Sequence, residues 1–193
     1  MTAARTVSTV RLHLVRHAQA ASGWGTDLDP GLSVVGQAQA EAVGIRLAST
    51  LTHVSVRTSP LRRAQQTAAA LEQRWGVVAE IDGAFGEIPS PTTDLAERAA
   101  WLSSALAGGW GELDGAVAAW RRNLLSAVRA LEEPIVAFTH FVAINAVVAE
   151  AQHRSEVTVF APANASITVI DVDRSTGRLL VVQLGDEAPP TVG

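Results

Sequence analysis

Two apolar runs in this chain each end on a histidine. Leu12-His13-Leu14-Val15 leads into Arg16-His17, and Ile135-Val136-Ala137-Phe138 leads through Thr139 into His140. Imidazole is substantially neutral near pH 7, which makes it a credible nucleophile. Arginine suits phosphate, because its planar fork donates two parallel hydrogen bonds and keeps its charge. Phosphoryl transfer to a histidine needs an in-line nucleophile, cations for the equatorial oxygens, a proton donor for the leaving oxygen and fixed geometry. The chain offers His17 with Arg16 beside it, Arg63 near the start of a helix, His140 at the second strand end, and Glu87 where regular structure breaks off.

The elements that must position these groups follow from periodicity. Val10, Leu12 and Leu14 alternate with Arg11, His13 and Val15, the pattern of a strand, and His13 inside it reads as a structural histidine. Residues 20–32 carry Gly23, Gly25, Asp27, Asp29, Pro30 and Gly31 and form a loop. Ser33 caps a helix reaching about Leu51, with Val35, Ala38, Ala42 and Ile45 on one face. Val54 to Thr58 is a second strand. Ser59-Pro60 then reads as a capping hydroxyl followed by proline in the first turn, with Leu61, Ala64, Ala68, Leu71 and Trp75 as the buried stripe. Free N–H groups in that first turn favour an anion, and of Arg62 and Arg63 one is expected to face solvent.

Val77 to Ile81 gives a third strand, and the prolines at 89 and 91 rule out regular structure after Phe85. Asp94 with Glu97 resembles a capping box for a helix through Ala107, and a further helix carries Val117, Trp120, Leu124, Val128 and Leu131 on one face. Residues 87 to about 115 read as an insertion over the carboxyl edge of the sheet. Trp101, Trp110 and Trp120 could wall a pocket there, but for each taken singly packing under the insertion is the expectation. A strand ending at His140 precedes a helix from Phe141 to Ala151 that is apolar on nearly every side. Val157 to Phe160 reads as a short strand, and Ser166–Asp171 with Leu179–Leu184 as a hairpin across 173–177. Alternating strands and helices imply an α/β protein: a three-layer α/β/α sandwich, its sheet largely parallel, with helices on both faces and a small helical insertion over the active site. Ligands of such sheets gather outside the carboxyl ends of the strands, where both histidines fall.

Composition narrows the classes. At 193 residues and 48% hydrophobic, the chain reads as one domain, residues 1–193, with ample core. The net charge of −4 argues against a general nucleic-acid surface. No apolar run is long enough to span a bilayer, and the first residues carry no apolar signal segment, so the expectation is a cytoplasmic protein with a short frayed start before Thr9 and a loose tail after Ala188. Cysteine is absent, which excludes thiolate chemistry. All 15 basic residues are arginine, which excludes a Schiff base or a phosphate-loop lysine. His53 and His153 read as solvated, and no His-Glu spacing suggests a metal site, so neither a metal nor an organic cofactor is expected.

Four stretches taken together resemble the histidine phosphatase superfamily, the phosphoglycerate mutase-like group. They are Arg16-His17-Ala18, Asp29 to Gly36, Ser59 to Ala68, and Thr139-His140, with Asn164-Ala165-Ser166 fitting before a late strand. The resemblance runs from about Leu12 to Asp171. It implies that His17 becomes phosphorylated, that Arg16 and Arg63 hold the phosphoryl group, and that His140 contacts it as a cation or hydrogen-bond donor. Glu87 matches the acid that protonates the leaving group and then activates water, with Asp82 as its competitor. The implied activity is a phosphomonoester phosphatase acting on a small phosphorylated substrate. A phosphoglycerate mutase-type transferase and a non-catalytic phosphate-recognition module are the alternatives. The short insertion favours hydrolysis, and the intact Arg-His, Arg and His set favours an enzyme. Ala18, Ala20, Phe141 and Asn145 depart from the common residues and bear on specificity.

Overall fold

The computed structural model describes residues 9–23, 25–113 and 115–188; the frayed start and most of the loose tail read from the sequence lie outside them. The chain runs β1 (Thr9–Arg16), α1 (Val34–Thr50), β2 (Ser55–Thr58), α2 (Arg62–Trp75), β3 (Glu80–Ile81), α3 (Leu95–Ala107), α4 (Gly115–Arg129), β4 (Ile135–Thr139), α5 (Phe141–Gln152), β5 (Ile167–Asp173) and β6 (Leu179–Gln183). The strands form one six-stranded sheet in the order β3-β2-β4-β1-β5-β6. β3, β2, β4 and β1 are parallel, and β5 and β6 join through antiparallel pairings. The expected α/β fold with a largely parallel sheet is therefore present.

Strand alternation sorts the core into two layers. Leu12, Leu14, Ile135, Ala137, Ile170 and Val172 point to one face and pack with Leu124 and Val128 of α4 and the buried side of α5. Val15, Val56, Val136, Phe138, Ile167 and Val169 point to the other and pack with Val43 and Leu47 of α1 and Leu71 and Trp75 of α2. His13 is buried within β1, the position expected of a structural histidine. Among the described residues no helix is long and apolar enough to cross a membrane.

Several local expectations give way to tertiary packing. The buried face of α1 is Gly36, Ala40, Val43, Gly44 and Leu47, while Val35 and Ile45 are exposed. The reason is close approach. A Cβ on Gly44 would lie 2.8 Å from that of Ala70, and one on Gly36 would lie 2.0 Å from the carbonyl oxygen of Gln19. Glycines that seat a helix this tightly decide its face before the larger apolar residues do. The third strand shrinks to two residues, and residues 157–160 are irregular: the Val157 N–H donates to the Gly108 carbonyl, and those of Val159 and Phe160 to Asn145 Oδ1. Ser33 does cap α1, accepting from Gly36, and Asp94 caps α3, accepting from Ala96 and Glu97.

Gly36→Ala is expected to cost about 1–3 kcal/mol through overpacking against the Gln19 carbonyl. Urea denaturation of the variant beside the parent measures it, and an unchanged midpoint would show that the loop yields without cost.

Candidate active site

β1 and β4 are adjacent and parallel, with Arg16 opposite Thr139. One residue beyond, the His17 N–H donates to the Thr139 carbonyl at 2.8 Å, so His17 and His140 leave the sheet side by side. Their ring centroids are 5.2 Å apart, tilted by 57°. Both are buried.

The proton on His17 is placed by its backbone. Nδ1 lies 2.8 Å from the Ala18 carbonyl, an acceptor only, so Nδ1 carries the hydrogen and the lone pair is on Nε2. The peptide that fixes it is itself fixed: the Ala18 N–H donates to Thr67 Oγ1, and that hydroxyl donates to the Arg63 carbonyl. Asn164 Nδ2 donates to the His17 carbonyl at 3.1 Å. Burial first, then the charge of Arg63, push the His17 imidazole down to about 3, against the opposing bond to Ala18. The free protein therefore holds His17 neutral at physiological pH.

Arg63, in the first turn of α2, reaches every other group. Its Nε donates to His17 Nε2 at 3.2 Å, and its Nη2 lies 3.3 Å from His140 Nδ1 and 3.4 Å from Glu87 Oε2. His140 Nδ1 is also 3.3 Å from Glu87 Oε2, and its Nε2 is 2.7 Å from Ser59 Oγ. The Ser59 hydroxyl can rotate to donate or accept, so it supports either tautomer of His140. Burial, together with the neighbouring His17, Arg63 and Arg16, holds His140 well below the usual imidazole range. Burial pushes the Glu87 carboxyl up, with Arg63 opposing. Ligand atoms of His17, Glu87 and His140 lie within 4.8 Å of one another, a spacing that would suit a metal ion, but the Arg63 guanidinium bonds to all three.

Arg16 is aimed from the opposite side. Its Nη1 donates to the Pro162 carbonyl at 2.6 Å, and its guanidinium lies 5.2 Å over the Phe141 ring. Glu87 is held through the chain before it: Thr139 Oγ1 donates to the Phe85 carbonyl and Trp120 Nε1 to the Gly86 carbonyl. Asp82 lies elsewhere, capping the turn at Ala84 and pairing with Arg57 at 3.1 Å.

Two further expectations, Ser59 as the cap of α2 and an open helix end for the anion, are corrected. Ser59 does not cap α2; its hydroxyl is spent on His140 and on the Leu61 N–H, and Asp29 from the loop accepts from the Arg62 N–H instead. That helix end is thus neutralised by a carboxylate. Arg63 is buried and Arg62 exposed, the division expected of the pair. Trp101, Trp110 and Trp120 are absent from the cavity lining, and Trp110 and Trp120 stack on each other at 6.3 Å, the packing role expected of each. The cavity of about 580 Å³ is walled instead by Leu28, Leu102, Leu106 and Phe141, with Arg98 from α3. Sequence reasoning assigned no role to Ser59 toward His140, to Thr67, to Asn164 or to Arg98. Thr67 had a legible signal, one helical turn after Arg63 on the same face.

The profile for histidine phosphatase superfamily branch 1 matches residues 12–184. The chain belongs to that superfamily. It shares 25% identity with a mycobacterial glucosyl-3-phosphoglycerate phosphatase, at a TM-score of 0.68 over 93% of this chain and 100% of that one. The Bacillus stearothermophilus protein YhfR superposes at 0.71 with 20% identity, covering 93% and 98%. A phosphoserine phosphatase from Entamoeba histolytica superposes at 0.70 with 20% identity, covering 92% and 97%. No curated protein matches in sequence. As a histidine phosphatase the chain is a phosphomonoester hydrolase, and the histidine pair at the ends of β1 and β4 lies within the matched span.

The lowered histidines make a prediction about stability. Between about 3 and the ordinary 6.5, the unfolded chain binds a proton at residue 17 that the folded chain does not. The contribution is therefore full above the ordinary value and is lost as pH falls toward the folded one. Each such group gives a slope of about 1.4 kcal/mol per pH unit within its window. His13 and His140 shift in the same direction. Urea unfolding from pH 7 down to pH 4.5 is expected to show stability falling with pH, and His17→Gln to flatten the slope by about one proton's worth. A slope unchanged in the variant would contradict a neutral buried His17.

Proposed function

We propose that this enzyme cleaves small phosphomonoesters through a phosphoenzyme on Nε2 of His17. The observation that carries the assignment is the bond from His17 Nδ1 to the Ala18 carbonyl, which leaves Nε2 as the lone-pair nitrogen facing Arg63, His140 and Glu87.

In this reading the phosphoryl group enters between Arg16 and Arg63. Arg63 turns its donors from the imidazoles to the phosphoryl oxygens, which frees the Nε2 lone pair. Nε2 attacks phosphorus in line with the ester oxygen, the P–N bond forms, and the P–O bond to the alcohol breaks. Glu87, its carboxyl pushed up by burial, gives its proton to the departing oxygen. His140 donates from Nδ1 to a phosphoryl oxygen while Ser59 donates to its Nε2. A water then attacks phosphorus and passes a proton to Glu87. The P–N bond breaks, and phosphate leaves a neutral His17.

Incubation with a radiolabelled aryl phosphate, followed by rapid quench, is expected to trap an acid-labile, alkali-stable phosphoenzyme that His17→Ala cannot form. Undiminished turnover in that variant would reject the nucleophile. Glu87→Gln is expected to lower kcat/KM on an alkyl ester by about 10²–10⁴-fold. On 4-nitrophenyl phosphate, whose leaving oxygen needs no proton, the loss is expected to be much smaller. An equal loss on both esters would remove the acid role from Glu87.

A further inference from the structure

We infer that the cavity selects phosphomonoesters whose alcohol part is bulky, uncharged and largely apolar, such as an arylalkyl group, over phosphosugars and phosphorylated acids. The inference rests on the phosphatase reading for the position of the phosphate.

The cavity has two chemically distinct ends. Arg16, His17, Arg63 and Glu87 cluster where the strands end, and the remainder is walled mainly by Leu28, Pro30, Leu102, Leu106, Phe141 and Val142. Its volume of about 580 Å³ far exceeds what a phosphoryl group fills. A sugar lying along that wall would lose water from its hydroxyls and find few partners in exchange. On the loop side Ala20 and Ala21 supply no side-chain donor, and the neutral polar groups of the remaining lining are those of Ser22 and Asn164.

The charged groups of the remaining lining divide between signs: Asp27 contributes a carboxylate, which repels a second anionic group beside it, and Arg98 a guanidinium whose charge is felt at Arg63. Leu28 supplies a further observation. It lines the cavity yet stays 47% exposed, an apolar side chain at the mouth with surface left to cover. An apolar alcohol part seated against Leu28 and Leu106 would remove that surface from water.

The test compares primary-alcohol esters of similar intrinsic reactivity: 2-phenylethyl phosphate, glucose 6-phosphate and 3-phosphoglycerate. The wild-type enzyme is expected to show kcat/KM at least about tenfold higher for the phenylethyl ester, and Leu28→Ser and Leu106→Ser each to shrink that ratio by about three- to tenfold. The same esters titrated calorimetrically into His17→Ala protein give the binding order without chemistry. There the phenylethyl ester is expected to bind tightest, with a negative heat-capacity change. Equal or reversed order in either measurement overturns the inference. A preserved binding order with no phosphoenzyme in the wild type would strike the catalytic reading and leave this one standing.

Discussion

One buried cation sets the terms for the rest of this site. Arg63 is almost wholly enclosed, and a charge removed from water must be paired or hydrogen-bonded to persist. Its nearest carboxylate oxygen is on Glu87 at 3.4 Å, with Asp29 at 4.0 Å, and its other close neighbours are His17 Nε2, which accepts from it, and His140 Nδ1. Arg16 adds a second guanidinium facing the same cavity. The positive field is only partly compensated, which favours a phosphate dianion. That same field, with burial, keeps both histidines neutral. In the proposed mechanism, attraction of the anion and protection of the attacking lone pair thus share one physical origin, and His17 does not have to lose a proton before the chemistry.

The sequence showed the histidines because each closes an apolar run, and runs of that kind are strands. It could not show register. His17 and His140 meet because β1 pairs with β4 in parallel with Arg16 opposite Thr139; a shift by one residue would turn one imidazole toward the other face of the sheet. Glu87 was the least legible of the group, since its neighbours in sequence are turn-formers. What holds it is long-range: Thr139 and Trp120 grip the carbonyls of Phe85 and Gly86.

The misreadings share a cause. Ser59-Pro60 has the composition of a helix start, and local chemistry cannot tell a capping serine from one drawn away by a distant histidine. Once Ser59 turned to His140, Asp29 took over the α2 terminus from another part of the chain. The face of α1 was read from its large apolar residues, but Gly36 and Gly44 determined how near the helix could come and therefore which side it buried.

The departures at Phe141 and Asn145 become one feature when traced through α5. They lie one helical turn apart, and Asn145 Nδ2 donates to the Phe141 carbonyl. Asn145 Oδ1 accepts from the N–H groups of Val159 and Phe160, which secures the irregular segment leading to Pro162. The Pro162 carbonyl in turn takes the Arg16 guanidinium, whose face lies over the Phe141 ring. By the resemblance, glycine is usual at 141 and arginine frequent at 145; a glycine at 141 would leave that guanidinium without its platform, and an arginine at 145 could not accept the two backbone hydrogens. The pair thus gives up small size and positive charge at these positions for a rigid support under Arg16. The bulk of Phe141 also supplies apolar wall to the cavity, so the residue that steadies the Arg16 guanidinium also shapes the space beside it.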